Sequence, residues 1–318
     1  MSKKIAILGA SGDIGRLCVE EFTRRGDAVV AVGRRAPKFN NSRVENIAVD
    51  YTDETALHEL FARVDAVLVT IGIEYTTQQW AKFWVPFATA IVQAAQNSGT
   101  RTVFFDNVYS YGLVPGKMTE ETPYNPCSKK GEIRKQVDLV FDDAIEAGLP
   151  VVVAKAPDFY GPGATKSLLG PRFHEQLAKG NFEWFGDPTL EHTFGYIPDF
   201  PPALHALLHG DSTGVYHLPV SDEPMSAARV KQLLETYTGE TYKYSLIKGP
   251  LLQFLALLMS PVRELKEMMY QYEHPYRFAS RKILEEFPQL STTSLEQGVR
   301  SQYDAYRSKK IRLDKETE

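Results

Sequence analysis

Cysteine is scarce: Cys18 and Cys127 are the only two in 318 residues, too few for a disulfide framework and without the spacing of a metal site. A reducing compartment is expected. No long apolar run occurs either, since residues 251–259, interrupted by Gln253, reach about half of the ~20 residues that a membrane span requires. The amino end passes from Met-Ser-Lys-Lys straight into Ile-Ala-Ile-Leu. That leaves no room for a signal peptide, and a cytoplasmic protein is expected. A positive field is lacking as well: 36 basic against 40 acidic side chains leave a formal charge of -4, which argues against nucleic acid or an anionic membrane surface as the main partner. The Gly-x-Ser-x-Gly elbow of hydrolases is absent. No grouping of His, Cys and carboxylate residues shows ligand spacing, so no metal is expected.

What is present suffices for a full core, with 43% hydrophobic and 24% charged residues. Short Val- and Ile-rich runs alternate with helical patterns through the first half, as buried parallel strands and crossover helices do. Strands are predicted at 5–8, 28–32, 46–49, 66–70, 102–105 and 151–154, and helices at 13–25, 55–61, 77–97 and 130–147. The fold class that follows is α/β: a doubly wound parallel sheet of Rossmann type over residues 1–157. A smaller α+β part is expected over 158–318, carrying the substrate, with some segments returning to the first domain. Asp-Phe-Tyr-Gly-Pro-Gly at 158–163 reads as loops around a pocket. Helices are predicted at 226–238, 251–272 and 295–306, a strand at 214–218, and a frayed, highly charged tail from Arg307. The apolar helix opened by Gly249 and Pro250 would cover the substrate site or make a subunit contact.

Gly9-Ala10-Ser11-Gly12-Asp13-Ile14-Gly15 stands directly between a strand and a helix. Residues without Cβ let the backbone turn tightly beside a pyrophosphate, whose charge then faces the free N–H groups of the helix. The turn therefore predicts a bound dinucleotide. A carboxylate at the end of the second strand would hold a ribose 2'-hydroxyl, but the chain has Val32-Gly33-Arg34-Arg35 there. Two guanidiniums suit a 2'-phosphate, so NADP(H) is preferred, with NAD(H) the alternative, and Arg34 is the main contact ahead of Arg35. Asp50, followed by Tyr51, either accepts from the adenine amino group or opens a turn. Thr70 and Gly72 close the fourth strand beside the ligand crevice.

In this order the motifs resemble the extended short-chain dehydrogenase/reductase family, the NAD-dependent epimerase/dehydratase group. Besides the glycine turn, the resemblance rests on Phe104 to Gly112, on Thr119-Glu120-Glu121-Thr122-Pro123, on the run from Leu149 to Gly163 and on Phe194 to Asp199. It implies that Ala156, Pro157 and Phe159 lie near nicotinamide and substrate, and that a homodimer forms through the helices starting near Thr77 and Lys130. It further implies an active-site Tyr-x-x-x-Lys pair preceded by Ser or Thr. At those positions this chain has Lys130, Arg134 and Asn107.

With all three changed, the acid must be sought elsewhere. Lys130 could transfer the proton if burial, Lys129 and Arg134 lower its pKa, or it could belong to a solvated cationic helix face with Lys129, Arg134 and Lys135. Arg134, one helical turn on, could hold ribose hydroxyls. Asn107 could polarise a carbonyl through its amide. Tyr109 is a second candidate acid on the crevice side of the strand end. His192 reads as a packed residue or one facing the substrate, and 268–276, with Met268, Met269, Tyr270, Tyr272 and Tyr276, as core or pocket lining. The expected function is an NADP(H)-dependent oxidoreductase acting on a small-molecule carbonyl or alcohol. A sugar-nucleotide epimerase or dehydratase and a non-catalytic NADP(H)-binding sensor are the alternatives.

Overall fold

Alternation within single strands decides the layering. In β1 (Lys4–Leu8), Ile5 and Ile7 point to one face and Ala6 and Leu8 to the other, all four fully buried. A strand buried on both faces needs helices on both. The computed structural model describes residues 2–247 and 260–316. One face of its sheet is covered by α1 (Asp13–Arg24) and α6 (Phe200–His209), the other by α2 (Glu54–Ala62), α3 (Thr77–Ser98) and α4 (Lys129–Glu146).

The remaining strands of this sheet are β2 (Ala28–Gly33), β3 (Val44–Ala48), β4 (Ala66–Val69), β5 (Arg101–Asp106), β7 (Val151–Lys155) and β11 (Gly214–His217). Among the described residues they pair in the parallel order β11-β7-β5-β4-β1-β2-β3. The order reverses between β1 and β4, so their carboxyl ends open a crevice at a topological switch point. In β3 the expected span 46–49 begins earlier, at Val44, which pairs with Val29. This edge strand is only half-buried, so its first residues lack the apolar signal that marks the inner strands.

Shorter pairs complete the molecule. Strand β8 (Asp158–Tyr160) lies parallel to β10 (Phe194–Tyr196), β9 (Asn181–Phe185) to β12 (Lys243–Ile247), and β6 (Lys117–Met118) to β13 (Arg277–Phe278). The stretch expected as loops from 158 thus starts as a strand, because Phe194 to Tyr196 supplies it with partners that local sequence does not reveal. A third core joins α5 (Pro171–Leu177), β9 and α7 (Ala227–Thr238) through Phe173, Phe182, Trp184, Val230 and Leu234.

Of the helix expected over 251–272, residues 251–259 and the Gly249-Pro250 opening lie outside the described residues. The described part divides into α8 (Ser260–Lys266) and α9 (Tyr270–Glu273). Helix α10 (Arg281–Glu286) follows. The tail expected to fray from Arg307 instead continues α11 (Leu295–Glu316), whose Lys, Arg and Glu residues are good helix formers. No described helix is long and apolar enough to cross a membrane.

Candidate functional site

The strand-to-helix turn after β1 has no room for a side chain at Gly9 or Gly15. A Cβ on Gly9, at φ +86°, would stand 2.8 Å from the Thr70 carbonyl oxygen, and one on Gly15 would stand 2.3 Å from the Gly9 oxygen. Helix α1 therefore starts directly under β1 and β4. Its N-cap, Gly12, provides no side-chain acceptor, whereas Asp53, Thr76, Ser128 and Ser226 cap α2, α3, α4 and α7. An uncapped amino end at the switch point can receive an anion.

The other residues of this turn support it. Asp13 reaches across the chain, its carboxylate accepting from the Thr165 amide at 2.7 Å, the Thr165 hydroxyl at 2.7 Å and the Lys166 amide at 3.3 Å. Ile14 is buried and packs in the core beneath, and Ser11 is exposed. The Tyr51 phenol lies buried behind the turn, accepting from the Gly9 amide at 3.2 Å and donating to the Val32 carbonyl at 3.3 Å. Thr70 donates its hydroxyl to the Leu8 carbonyl at 3.0 Å, and beside Gly72 there is open space. Arg34 and Arg35 are exposed and make no hydrogen bond or ion pair among the described residues. Asp50 adopts the turn role of its two readings: one carboxylate oxygen accepts from the Thr52 amide and hydroxyl.

The three residues expected at the family's catalytic positions, Lys130, Arg134 and Asn107, have different surroundings. Lys130 is wholly buried, its ammonium bonded to the Glu264 carboxylate, to Glu267 at 2.7 Å, to the Thr77 hydroxyl at 3.3 Å and to the Glu264 carbonyl at 3.1 Å. Both earlier readings of this lysine need correcting. It is not on a solvated face, and its ammonium is engaged by two carboxylates instead of standing among Lys129 and Arg134 as a proton donor. The same glutamates cap neighbouring helices, with the Thr77 amide donating to Glu264 and the Lys129 amide to Glu267, each at 2.9 Å. Lys130 is thus a clamp that fastens α8 over the amino ends of α3 and α4.

Lys130→Met is accordingly expected to leave dinucleotide affinity within about twofold while raising hydrogen exchange over 260–273. Breaking a buried pair from one side is costly because the carboxylates remain uncompensated. Unchanged exchange there would contradict the clamp.

Arg134 also departs from expectation. Its guanidinium is buried, 3.7 Å over the Trp84 ring and 4.8 Å over Trp80, with Nη1 3.1 Å from Asp106. That distance is an ion-pair contact without hydrogen-bond alignment, since Nη1 and Nε find no bonded partner among the described residues. Stacked and paired in this way, Arg134 is an internal cation and not a holder of ribose hydroxyls. Lys155 adjoins it, fully buried and held by Asp138 at 2.7 and 2.8 Å and by Asp106 at 3.5 Å. Burial alone would lower the Lys155 pKa, but the two carboxylates outweigh it and hold the ammonium above its ordinary value.

This charge network positions the turn after β5. The Asn107 carbonyl accepts from Lys155 at 3.3 Å, its amide donates to Asp106 at 2.8 Å, and its side-chain oxygen accepts from the Tyr109 amide at 2.9 Å. The Asn107 side-chain nitrogen is not used among the described residues. Tyr109, opening a 3-10 turn (Tyr109–Tyr111), stacks on Trp80 with 6.0 Å between centroids. Its phenol accepts from Tyr75 at 3.3 Å. Burial, followed by the nearby Tyr75 and Asp158, pushes the Tyr109 phenol well up, and burial raises Tyr75 too.

Sequence reasoning missed Tyr75 and Asp158. Asp158, at the start of β8, accepts from the Tyr272 phenol at 2.9 Å and lies 2.9 Å from His192 Nε2. His192 is packed, with its ring stacked on Tyr272 and Tyr276 and its Nδ1 3.0 Å from the Gln271 carbonyl. Met268, Met269, Tyr272 and Tyr276 are buried. The phenol oxygens of Tyr270 and Tyr276 are buried without a partner among the described residues. Asp158 and Tyr270 lie close enough to add to the upward push that burial gives the Tyr109 phenol, as Asp158, Tyr270 and Tyr109 do for Tyr276. The only local sign was a recurrence of tyrosine in 270–276. Ala156 and Pro157 are buried at the end of β7, and Phe159 packs on Phe200.

Glycines against Thr70, an uncapped α1 and the switch-point crevice make this an NAD-binding Rossmann fold. Residues 5–218 match the NAD dependent epimerase/dehydratase family. The chain belongs to that family. It is 25% identical over 266 residues to a UDP-N-acetyl-alpha-D-glucosaminuronate decarboxylase of Bacillus cytotoxicus, a match spanning 76% of this chain and 83% of the relative. It is 27% identical over 181 residues to a dTDP-6-deoxy-L-talose 4-dehydrogenase (NAD(P)(+)) of Kitasatospora kifunensis, covering 52% of this chain and 56% of that one. A solved structure of UDP-glucuronic acid 4-epimerase from Bacillus cereus with NAD superimposes with a TM-score of 0.76, at 20% identity, over 96% of this chain and 99% of the other. In this chain Lys130 is a clamp and Arg134 an internal cation.

Proposed function

We propose that the chain is an NADP(H)-dependent reductase of a small carbonyl compound, with Tyr109 as the proton donor and residues beyond 157 holding the substrate. The observation that carries this reading is the Tyr75 to Tyr109 hydroxyl contact at 3.3 Å, on a residue whose backbone amide is anchored by the Asn107 side chain. The dinucleotide supplies a hydride. The α1 amides and the glycine turn bind its pyrophosphate, and Arg34 with Arg35 takes the 2'-phosphate. The Asn107 side-chain nitrogen donates to the substrate oxygen, Tyr109 gives that oxygen a proton, and Tyr75, which is partly exposed, restores the Tyr109 proton.

Direction follows from the phenols. Burial keeps both protonated at neutral pH, which suits donation to an oxygen gaining negative charge and disfavours a standing phenolate base. In the family's usual arrangement a lysine lowers the tyrosine pKa, and here the equivalent cation is committed to Asp106 and the tryptophans.

The relatives favour a second reading, in which the substrate is a sugar nucleotide; in its epimerase-type form the hydride is returned to that substrate. Following cofactor absorbance against aldehydes, ketones and sugar nucleotides separates the two. Net NADPH consumption supports the reductase, and product formation with no net change supports the second reading. An inert protein that still binds NADP(H) would be the sensor. Arg34→Ala is expected to weaken NADPH by about 10- to 150-fold, the value of a charged hydrogen bond of ~1.5–3 kcal/mol, and to leave NADH unchanged. Equal losses for both dinucleotides would remove Arg34 from the 2'-phosphate. A homodimer through α3 and α4 is part of this proposal, and light scattering on the purified chain tests it.

A further inference from the structure

We propose that Asp27, His205 and His209 form a transition-metal site of the zinc type at the edge of the sheet opposite the dinucleotide crevice. The proposal departs from the sequence expectation of no metal, because the fold brings together Asp27 and two histidines far from it in the chain. His205 and His209 lie four positions apart on α6, one helical turn, with rings stacked 4.2 Å between centroids. Each Nε2 is 3.0 Å from the same oxygen of Asp27, and the three ligand atoms lie within 4.8 Å of one another.

Those separations already suit a metal. Ligands about 2.1 Å from zinc and roughly at right angles stand about 3.0 Å apart, and tetrahedral ones slightly more. An ion can therefore enter with side-chain adjustment alone. The carboxylate is set in advance, because its other oxygen accepts from the Lys3 amide at 2.9 Å.

Charge balance points the same way. Asp27 is 2% exposed, and its partners are one amide and two imidazoles, with no Lys or Arg side chain bonded to it among the described residues. Buried carboxylates are ordinarily paired with a cation or bound to a metal. Arg25, the nearby cation, is engaged with Glu21 at 2.6 Å. Two imidazoles and one carboxylate suit Zn²⁺, Co²⁺ or Ni²⁺ far better than the all-oxygen preference of Mg²⁺ or Ca²⁺.

Both histidines line a cavity of about 570 Å³, together with Arg25, Asp199 and Phe287. The remaining coordination position thus opens toward solvent and would carry water or a small anion. Asp27 precedes the first residue of β2, and the crevice lies at the far end of that strand, about 20 Å away at ~3.3 Å per residue. The ion would fasten α6, from the second half of the chain, to the start of β2 without touching the dinucleotide.

The test uses the untagged full chain, stripped with a chelator and titrated with Co²⁺ while its visible absorption is followed. Expected is one Co²⁺ per chain with strong d–d bands of low coordination number, displaced by Zn²⁺ and absent in His209→Ala, with NADPH affinity unchanged in that variant. His205→Gln, which keeps a polar side chain of similar reach, is measured alongside in case the alanine variant does not fold. Absence of these bands in the wild-type chain at millimolar Co²⁺ overturns the site, as does equal binding by wild type and both variants.

Discussion

Tyr109→Phe is expected to lower turnover by about 10²- to 10⁴-fold, the usual worth of a positioned acid, with dinucleotide affinity unchanged. The variant removes one hydroxyl and keeps the ring that stacks on Trp80, so the 3-10 turn and its anchor on Asn107 persist. Tyr75→Phe cuts the supply of the proton but not the donor, and a smaller loss is expected. The pH profile gives an independent check. A phenol raised by burial stays protonated below the ordinary tyrosine pKa of about 10, so the reductive rate is expected to remain level from about pH 7 to 9 as far as this group is concerned. A family tyrosine with a lysine-lowered pKa would lose its proton, and the reductive rate, across that interval. Full activity in Tyr109→Phe would remove this residue as the acid.

The second large effect is expected at Gly15. Adding one methyl there brings Cβ to 2.3 Å from the Gly9 oxygen and 2.8 Å from the Ala10 Cα, both backbone atoms that cannot rotate aside. Gly15→Ala must displace the turn or the start of α1. Overpacking of this kind costs about 1–3 kcal/mol, and because the displaced amides are those that would receive the pyrophosphate, affinity for either dinucleotide is expected to fall by about 5- to 150-fold. Gly72→Ala separates the two causes. Its Cβ meets nothing within 4 Å, so the melting temperature should hold, and weakened binding there would come from contact with the ligand. Gly15→Ala with unaltered affinity and melting temperature would show that the turn does not cradle the ligand.

Much of the sheet was legible because buried parallel strands announce themselves as unbroken apolar runs, as in Ala66–Val69 and the Val-Val-Val-Ala that opens Val151–Lys155. The glycine turn was legible for a different reason: only close backbone approach requires residues without Cβ at those spacings. What sequence could not convey is which charge meets which. Lys130 looked like one of several cations on a helix until Glu264 and Glu267, more than 130 positions away, closed on it. Arg134 resembled a ribose ligand but is held by Asp106 and two tryptophans, a partner set that arises only when α3, α4 and β5 meet.

The same limit applies to the proposed metal site. His205 and His209 were not singled out as a pair, and their carboxylate lies 178 positions from His205, so the trio exists only in the folded chain. Asp158 and Tyr75, whose surroundings include Tyr109, were overlooked because nothing in their local sequence distinguishes them from turn residues.

The central claim is that the amino end of α1 receives the diphosphate of a pyridine dinucleotide and that Arg34 selects its phosphorylated form. Titrating the purified chain with NADPH and with NADH in a calorimeter tests this most directly. Saturable binding of one dinucleotide per chain, tighter for NADPH, is the predicted result. No heat from either dinucleotide at millimolar concentration would contradict the account at its base, and tighter binding of NADH would contradict the role given to Arg34.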